Sequence, residues 1–212
     1  MNHDFWKNRW VANEIGFHLP EAHEWLVNYI SKLNLSKGSR IFLPLCGKTL
    51  DIHWLLQQGY RVAGCELVEM AIQQLFDELK VKPTVTAIGA IKRYSAANID
   101  VYVGDVFELT AGMLGHVDAI YDRAALVALP KDIRARYTQH LMAITQRAPQ
   151  LVICFEYDTS LHAGPPFSVS ADELREHYAN SYTLTLLENE AMPDGLKGKY
   201  PSLESVWLLE RK

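Results

Sequence analysis

The sequence predicts an α/β chain: a mostly parallel sheet with helices on both faces, closed by an antiparallel strand pair. Three observations predict it. Strand-like and helix-like apolar patterns alternate along the chain, with no repeat and no low-complexity linker. The final two strand candidates have no helix-length segment between them, so they pair antiparallel. The chain has 212 residues, 49% of them hydrophobic, enough for one large domain spanning 1–212 with a full core.

Taken in order, the strand candidates are Arg40–Leu45, Arg61–Leu67, Ile99–Asp105, Val117–Arg123, Gln150–Tyr157, Thr183–Glu190 and Ser205–Arg211, seven in all. Helical spacing links Leu26, Tyr29, Ile30 and Leu33, then Ile72, Leu75, Phe76 and Leu79, then Ile133, Tyr137, Leu141 and Ile144. Ser170-Ala-Asp-Glu173 reads as a capping box opening a helix that carries Leu174 and Tyr178. Lys131, Arg134 and Arg136 read as a solvated helix face. Cys46, Cys65 and Cys154 sit in or beside strand patterns and read as reduced core residues of a cytoplasmic protein. The N-terminus has no signal-peptide pattern, and no apolar run is long enough to span a bilayer. A net charge of -4 without a basic run gives no footprint for nucleic acid. The eight histidines show no metal-ligand spacing, so no metal is expected. No large exposed apolar face is evident, so the expected state is a monomer.

The chemistry concentrates at strand ends. The first strand runs into Pro44-Leu-Cys-Gly47, and the second ends on Glu66, 21 residues after Leu45. This is the layout of a nucleoside-binding βαβ unit, with a backbone turn after strand one and an acid for the ribose hydroxyls after strand two. The turn lacks the glycines of a dinucleotide fingerprint. Gly47-Lys-Thr49 imitates the end of a P-loop, but Phe42 stands where that loop needs its first glycine. A nucleoside without phosphate remains, and S-adenosylmethionine is the surviving candidate. The competing reading at this point is a buried strand, turn and helix with no ligand. Asp105 ends strand three and Asp122-Arg123 ends strand four, so charged residues gather at the edge where open α/β sheets bind ligands.

These residues carry a family resemblance. Phe5-Trp-Lys-Asn-Arg-Trp10 with Gly16-Phe-His18, Phe42-Leu-Pro-Leu-Cys-Gly-Lys48, Val62-Ala-Gly-Cys-Glu66, Tyr121-Asp-Arg-Ala-Ala-Leu-Val-Ala128 and His162-Ala-Gly-Pro-Pro-Phe167 resemble, in kind and in order, the thiopurine S-methyltransferase family, in its bacterial branch. The resemblance implies a Rossmann-like class I methyltransferase fold with strand order 3-2-1-4-5-7-6. It implies S-adenosyl-L-methionine as cofactor, S-adenosyl-L-homocysteine as product and a small-molecule thiol as acceptor. It also implies contacts: Trp10 enclosing the cofactor from an N-terminal lid segment (1–20), Leu45 beside the amino-acid tail, Glu66 on the ribose diol, and Arg123 near tail and acceptor. Asp105 is expected near the adenine, and Phe17 in the acceptor pocket. Phe167 is either a pocket wall or a loop anchor held by the prolines. Trp6, four residues before Trp10, reads as a staple to the core.

An already activated methyl group needs alignment and exclusion of water more than a base. Asp122 is the candidate if a proton has to move, and Arg123 the cation that steadies an anionic nucleophile. Neighbouring readings are methyl transfer to selenium or tellurium species, halide or simple thiols. A reading from another class is a cofactor-binding module without catalysis; a nicotinamide-dependent reductase is disfavoured by the missing glycines.

Overall fold

The computed structural model describes residues 3–212; Met1 and Asn2, the start of the expected 1–20 lid segment, lie outside the described residues. The sheet is built from β1 (Arg40–Pro44), β2 (Arg61–Glu66), β3 (Thr84–Ile88), β4 (Ile91–Ala96), β5 (Ile99–Val103), β6 (Ala119–Arg123), β7 (Gln150–Tyr157), β8 (Tyr182–Ala191) and β9 (Ser202–Arg211). Its spatial order is β3-β4-β5-β2-β1-β6-β7-β9-β8. Strands β5, β2, β1, β6 and β7 run parallel, β9 runs antiparallel to β7, and β8 pairs antiparallel with β9 on the far edge. The expected 3-2-1-4-5-7-6 order is therefore present, carried from β5 to β8.

Two strands were not expected. β3 and β4 form an antiparallel hairpin around Gly89 and Ala90 and extend the sheet beyond β5, giving nine strands among the described residues instead of seven. β3 leaves nearly every side chain to solvent, and its Thr84-Val-Thr-Ala-Ile88 carries no strong apolar run to read.

Helices α2 (Glu24–Tyr29), α3 (Leu50–Gln57) and α4 (Glu69–Glu78) cover one face, and α5 (Ala111–Leu114), α6 (Lys131–Ile144) and α7 (Ala171–Tyr178) the other. The strand period of two separates the two cores. Ile41 and Leu43 join Leu26, Ile52 and Leu75 in one; Phe42 joins Leu114, Tyr137 and Leu174 in the other. A short helix α1 (His3–Val11) lies outside both and packs through Trp10 on Val68 and Ala71.

The three cysteines are free and buried, as the sequence suggested. The solvated-face reading of α6 needs correction. Arg134 is 3% exposed and forms a two-pronged ion pair with Glu173, Nε to Oε1 at 2.6 Å and Nη2 to Oε2 at 3.1 Å. Glu173 thus leaves the expected capping box half made: Ser170 Oγ accepts from the Glu173 N–H, but the Glu173 side chain turns to α6. Arg136 does remain exposed, its guanidinium over the Phe107 ring. Because Arg134 would be left buried without its partner, Glu173→Ala should lower unfolding free energy by about 3–5 kcal/mol. Urea denaturation measures this; a loss under ~1 kcal/mol would mean that the pair does not hold α7 to α6.

Candidate active site

A cavity of about 500 Å³ opens at the carboxyl ends of the parallel strands. It meets, in sheet order, Glu66 of β2, Pro44 and Leu45 at the tip of β1, Tyr121 and Arg123 of β6, Phe155 of β7 and Glu204 of β9. Strands lie about 4.8 Å apart, so this row spans roughly 19 Å, long enough for two ligands side by side.

The β1 end of the row is shaped by backbone. Leu45 (φ 49°) and Ala124 (φ 58°) both adopt the left-handed region, one at the tip of β1 and one just after β6. Such conformations cost a non-glycine residue of order 1–3 kcal/mol and gather at functional sites. Gly47 is also left-handed (φ 52°), and a Cβ there would lie 3.0 Å from the Trp10 ring. The glycine therefore lets α1 seat its indole directly over the turn. Trp10 in turn meets Phe17 edge-on, centroids 5.7 Å apart, and Trp6 meets the same ring at 6.0 Å. All three aromatic residues line the cavity, so Trp6 does more than staple the helix.

Glu66 is buried, and burial pushes its carboxyl up while the N–H groups of Val68, Gly47 and Leu67 pull it down. Gly47 N–H donates to Oε2 and Val68 N–H to Oε1, each at 2.8 Å. Each oxygen keeps a further lone pair for a ligand hydroxyl.

Arg123 is clamped. Its Nε donates to Asp51 Oδ2 (2.8 Å), one Nη to Thr49 Oγ1 (2.8 Å), and the other to the Phe17 carbonyl (3.2 Å). Asp51, 1% exposed, also takes the His23 N–H and the Thr49 hydroxyl. Tyr121 lies on the same face of β6; burial and the Asp51 carboxylate beside it hold its phenol well above its usual range, so it stays protonated. Its hydroxyl faces the Asp51 carboxylate. The far rim is a pair of loops: Lys197 Nζ donates to the Pro165 carbonyl (2.9 Å), Tyr157 OH to the Pro166 carbonyl (2.6 Å), and His162 stacks on Tyr200.

Of the site residues expected from sequence, Trp10, Phe17, Leu45, Glu66 and Arg123 converge on this cavity. Three do not. Asp122 points to the opposite face, where it accepts from the Leu126 N–H and the Tyr137 hydroxyl, 0% exposed. Asp105 caps the short helical turn at Val106–Glu108 and contacts His3 at 2.8 Å, outside the cavity lining. Phe167 turns its ring against Gly164 and anchors the loop through its N–H to the Val127 carbonyl, leaving Pro165 and Pro166 as the wall. Sequence reasoning missed Thr49, Asp51, Tyr121, His23 and Glu204. Thr49-Leu-Asp51 was readable, as a helix cap with an acid in the first turn. Among the described residues no cluster of His, Cys, Asp or Glu could hold a metal ion, and no helix is long and apolar enough to cross a membrane.

Two solved structures share this architecture closely. One from Anabaena variabilis, described as a SAM-dependent methyltransferase, aligns at a TM-score of 0.66 and 15% identity, covering 99% of this chain and 95% of that one. Burkholderia thailandensis 1,6-didemethyltoxoflavin-N1-methyltransferase, solved with its heterocycle and S-adenosylhomocysteine, aligns at 0.65 and 17% identity, covering 98% and 87%. Both likenesses show a shared fold. A family model described as thiopurine S-methyltransferase matches residues 1–212. Proteins of that name from Xanthobacter autotrophicus and Gluconobacter oxydans are 53% and 45% identical, covering 100% and 96% of this chain and 100% and 92% of theirs. The chain belongs to the thiopurine S-methyltransferase family.

Asp122 supplies a pH test of its structural placement. Burial pushes its carboxyl up to about 6 against the pull of Leu126 N–H and Tyr137 OH. A folded-state value above the unfolded one means the folded protein holds the proton longer, so stability falls as pH rises from about 4 to about 6 and does not return above. The stability of wild type minus that of Asp122→Asn should therefore drop by up to about 3 kcal/mol between pH 4 and 7 in urea titrations. A flat difference would mean that Asp122 is not buried as a carboxyl.

Proposed function

We propose that the protein moves the methyl group of S-adenosylmethionine to the sulfur of a thiopurine or related heterocyclic thiol. The observation that carries the reading is the single row of side chains at the strand tips, with a buried acid at one end and a polar wall at the other. The residues present fit the donor. Glu66 can accept both ribose hydroxyls while keeping its two backbone partners. The left-handed turn at Leu45 and Gly47 brings backbone and the Trp10 ring close together, and aromatic faces suit a sulfonium cation. When bound, the donor supplies a methyl group already activated by positive sulfur.

The chain's own residues do the rest. Arg123, fixed by Asp51 and Thr49, holds the N-terminal segment through the Phe17 carbonyl and places a positive charge beside the nucleophile. Arg9 and Lys197 add positive charge at the rim; burial, with Arg9 nearby, pulls the Lys197 ammonium down. Phe17, Val127, Phe155 and the two prolines give a flat apolar slot that excludes water and suits a planar ring. Trp10 and the segment around it act as a lid, and the chain works as a single domain.

The purified protein, given labelled S-adenosylmethionine and 6-mercaptopurine, should yield the S-methyl product by chromatography; absence of transfer would reject the reading. In the same preparation Glu66→Ala should weaken donor binding by about 1.5–3 kcal/mol in calorimetry, the range for hydrogen bonds to a charged group. Unchanged binding would remove Glu66 from the ribose.

The lid has its own check. Hydrogen exchange across 3–19 and 161–167 should slow when the donor binds. Equal protection with and without donor would reject a closing segment.

A further inference from the structure

A thiopurine acceptor brings a difficulty that the residues described so far do not resolve. As the thione it carries its proton on ring nitrogen, beside the thiocarbonyl. Methylation at sulfur leaves a neutral product only if that N–H proton departs. Asp122, the carboxylate expected for the task, is on the other face of β6. Three carboxylates line the cavity: Glu66, Asp51 and Glu204. Glu66 stands over β2 at the donor end and is held by two backbone N–H groups. Asp51 is ion-paired to Arg123 and also takes the His23 N–H and the Thr49 hydroxyl.

Glu204 differs from both. It sits on β9, the far end of the row, directly paired with Phe155 of β7. Cross-strand partners have Cβ atoms about 5 Å apart, so a ring lying against Phe155 has its edge within reach of this carboxylate. His23 Nδ1 accepts from the Trp25 N–H, which leaves Nε2–H to donate to Glu204 Oε1 at 3.2 Å. Among the described residues no hydrogen bond reaches Oε2. The side chain is 16% exposed, enough to pass a proton to water. Tyr121 stands in the same wall, two strands nearer Glu66.

We propose that Glu204 is the proton acceptor of the reaction: its Oε2 takes the ring N–H of the bound heterocycle as sulfur is methylated, with His23 positioning the carboxylate through Oε1. The S–CH3 bond forms on the thiocarbonyl sulfur while the donor's sulfonium–CH3 bond breaks, its electron pair staying on the donor sulfur. The ring N–H bond breaks with its pair retained by the ring, and the proton goes to Oε2 and then to solvent as product leaves. The inference rests on the S-methyltransferase reading above.

The test compares two acceptors on one variant, Glu204→Gln, which keeps an oxygen for His23 but cannot take a proton. 6-Mercaptopurine has a ring N–H to lose; thiophenol has none and ionises by its own acidity. The expected result is a fall of kcat by about 10²-fold with 6-mercaptopurine, within the range for loss of a general base. Turnover of thiophenol and calorimetric donor binding should stay within about twofold of wild type. A parallel loss on both acceptors, with or without loss of donor binding, would assign Glu204 a structural role and overturn the inference. So would unchanged turnover of both. If wild-type protein methylates neither acceptor, the S-methyltransferase reading itself fails and takes the inference with it.

Discussion

The Arg123–Asp51 ion pair is the constraint on which the site depends. It joins the end of β6 to the start of α3, and through the Phe17 carbonyl it reaches the N-terminal segment. Three pieces of chain, far apart in sequence, are held by one guanidinium. Burying such a pair gains little stability, because both charges lose their hydration. Its value is geometric. A planar fork with three fixed acceptors has little freedom, so everything it touches shares one register. Asp51 extends that register by taking the His23 N–H, and His23 extends it to Glu204 on the opposite edge of the cavity. The polar wall is one connected network from β6 to β9, in which one misplaced member disturbs the others.

Backbone strain complements that network. Leu45 and Ala124 stand in left-handed conformations at adjacent strand tips, and neither is glycine. A glycine would relieve the strain but also loosen the turn, since it loses more conformational freedom on folding. Keeping side chains there fixes the turns at some cost in stability, which the packed cores on both faces absorb. Gly47 is the exception for a steric reason: the Trp10 ring occupies the space a Cβ would need.

The parallel core and the terminal antiparallel pair were legible because burial on two faces leaves strong apolar runs in β1, β2, β6 and β7, whereas the strand order followed only from the family resemblance. The β3–β4 hairpin was not, since an edge strand with its side chains in water carries no such pattern. Asp122 could have been placed correctly: side chains alternate along a strand, so Asp122 and Arg123 cannot both face one cavity. Arg134 could not, because its partner lies 39 positions away on another helix and nothing local distinguishes it from a solvated arginine. Glu204 was hidden for a related reason. Its strand was read as starting at Ser205, and a glutamate near the end of an antiparallel pair is exposed by default; only the pairing with Phe155 turns it inward.

Sheet order then separates what the two ends of the cavity can vary. The end proposed for the donor is made by β1, β2 and their turns, where backbone groups and Glu66 leave few substitutions that keep the geometry. The end proposed for the acceptor is made by β6, β7 and β9 and by the loops around Pro165 and Lys197, where side chains define most of the wall. Side-chain walls can change without moving the backbone that holds the donor. A chain built this way can keep one methyl donor while its acceptor changes, and the change would fall on Tyr121, Phe155 and Glu204 before it reached Leu45 or Glu66.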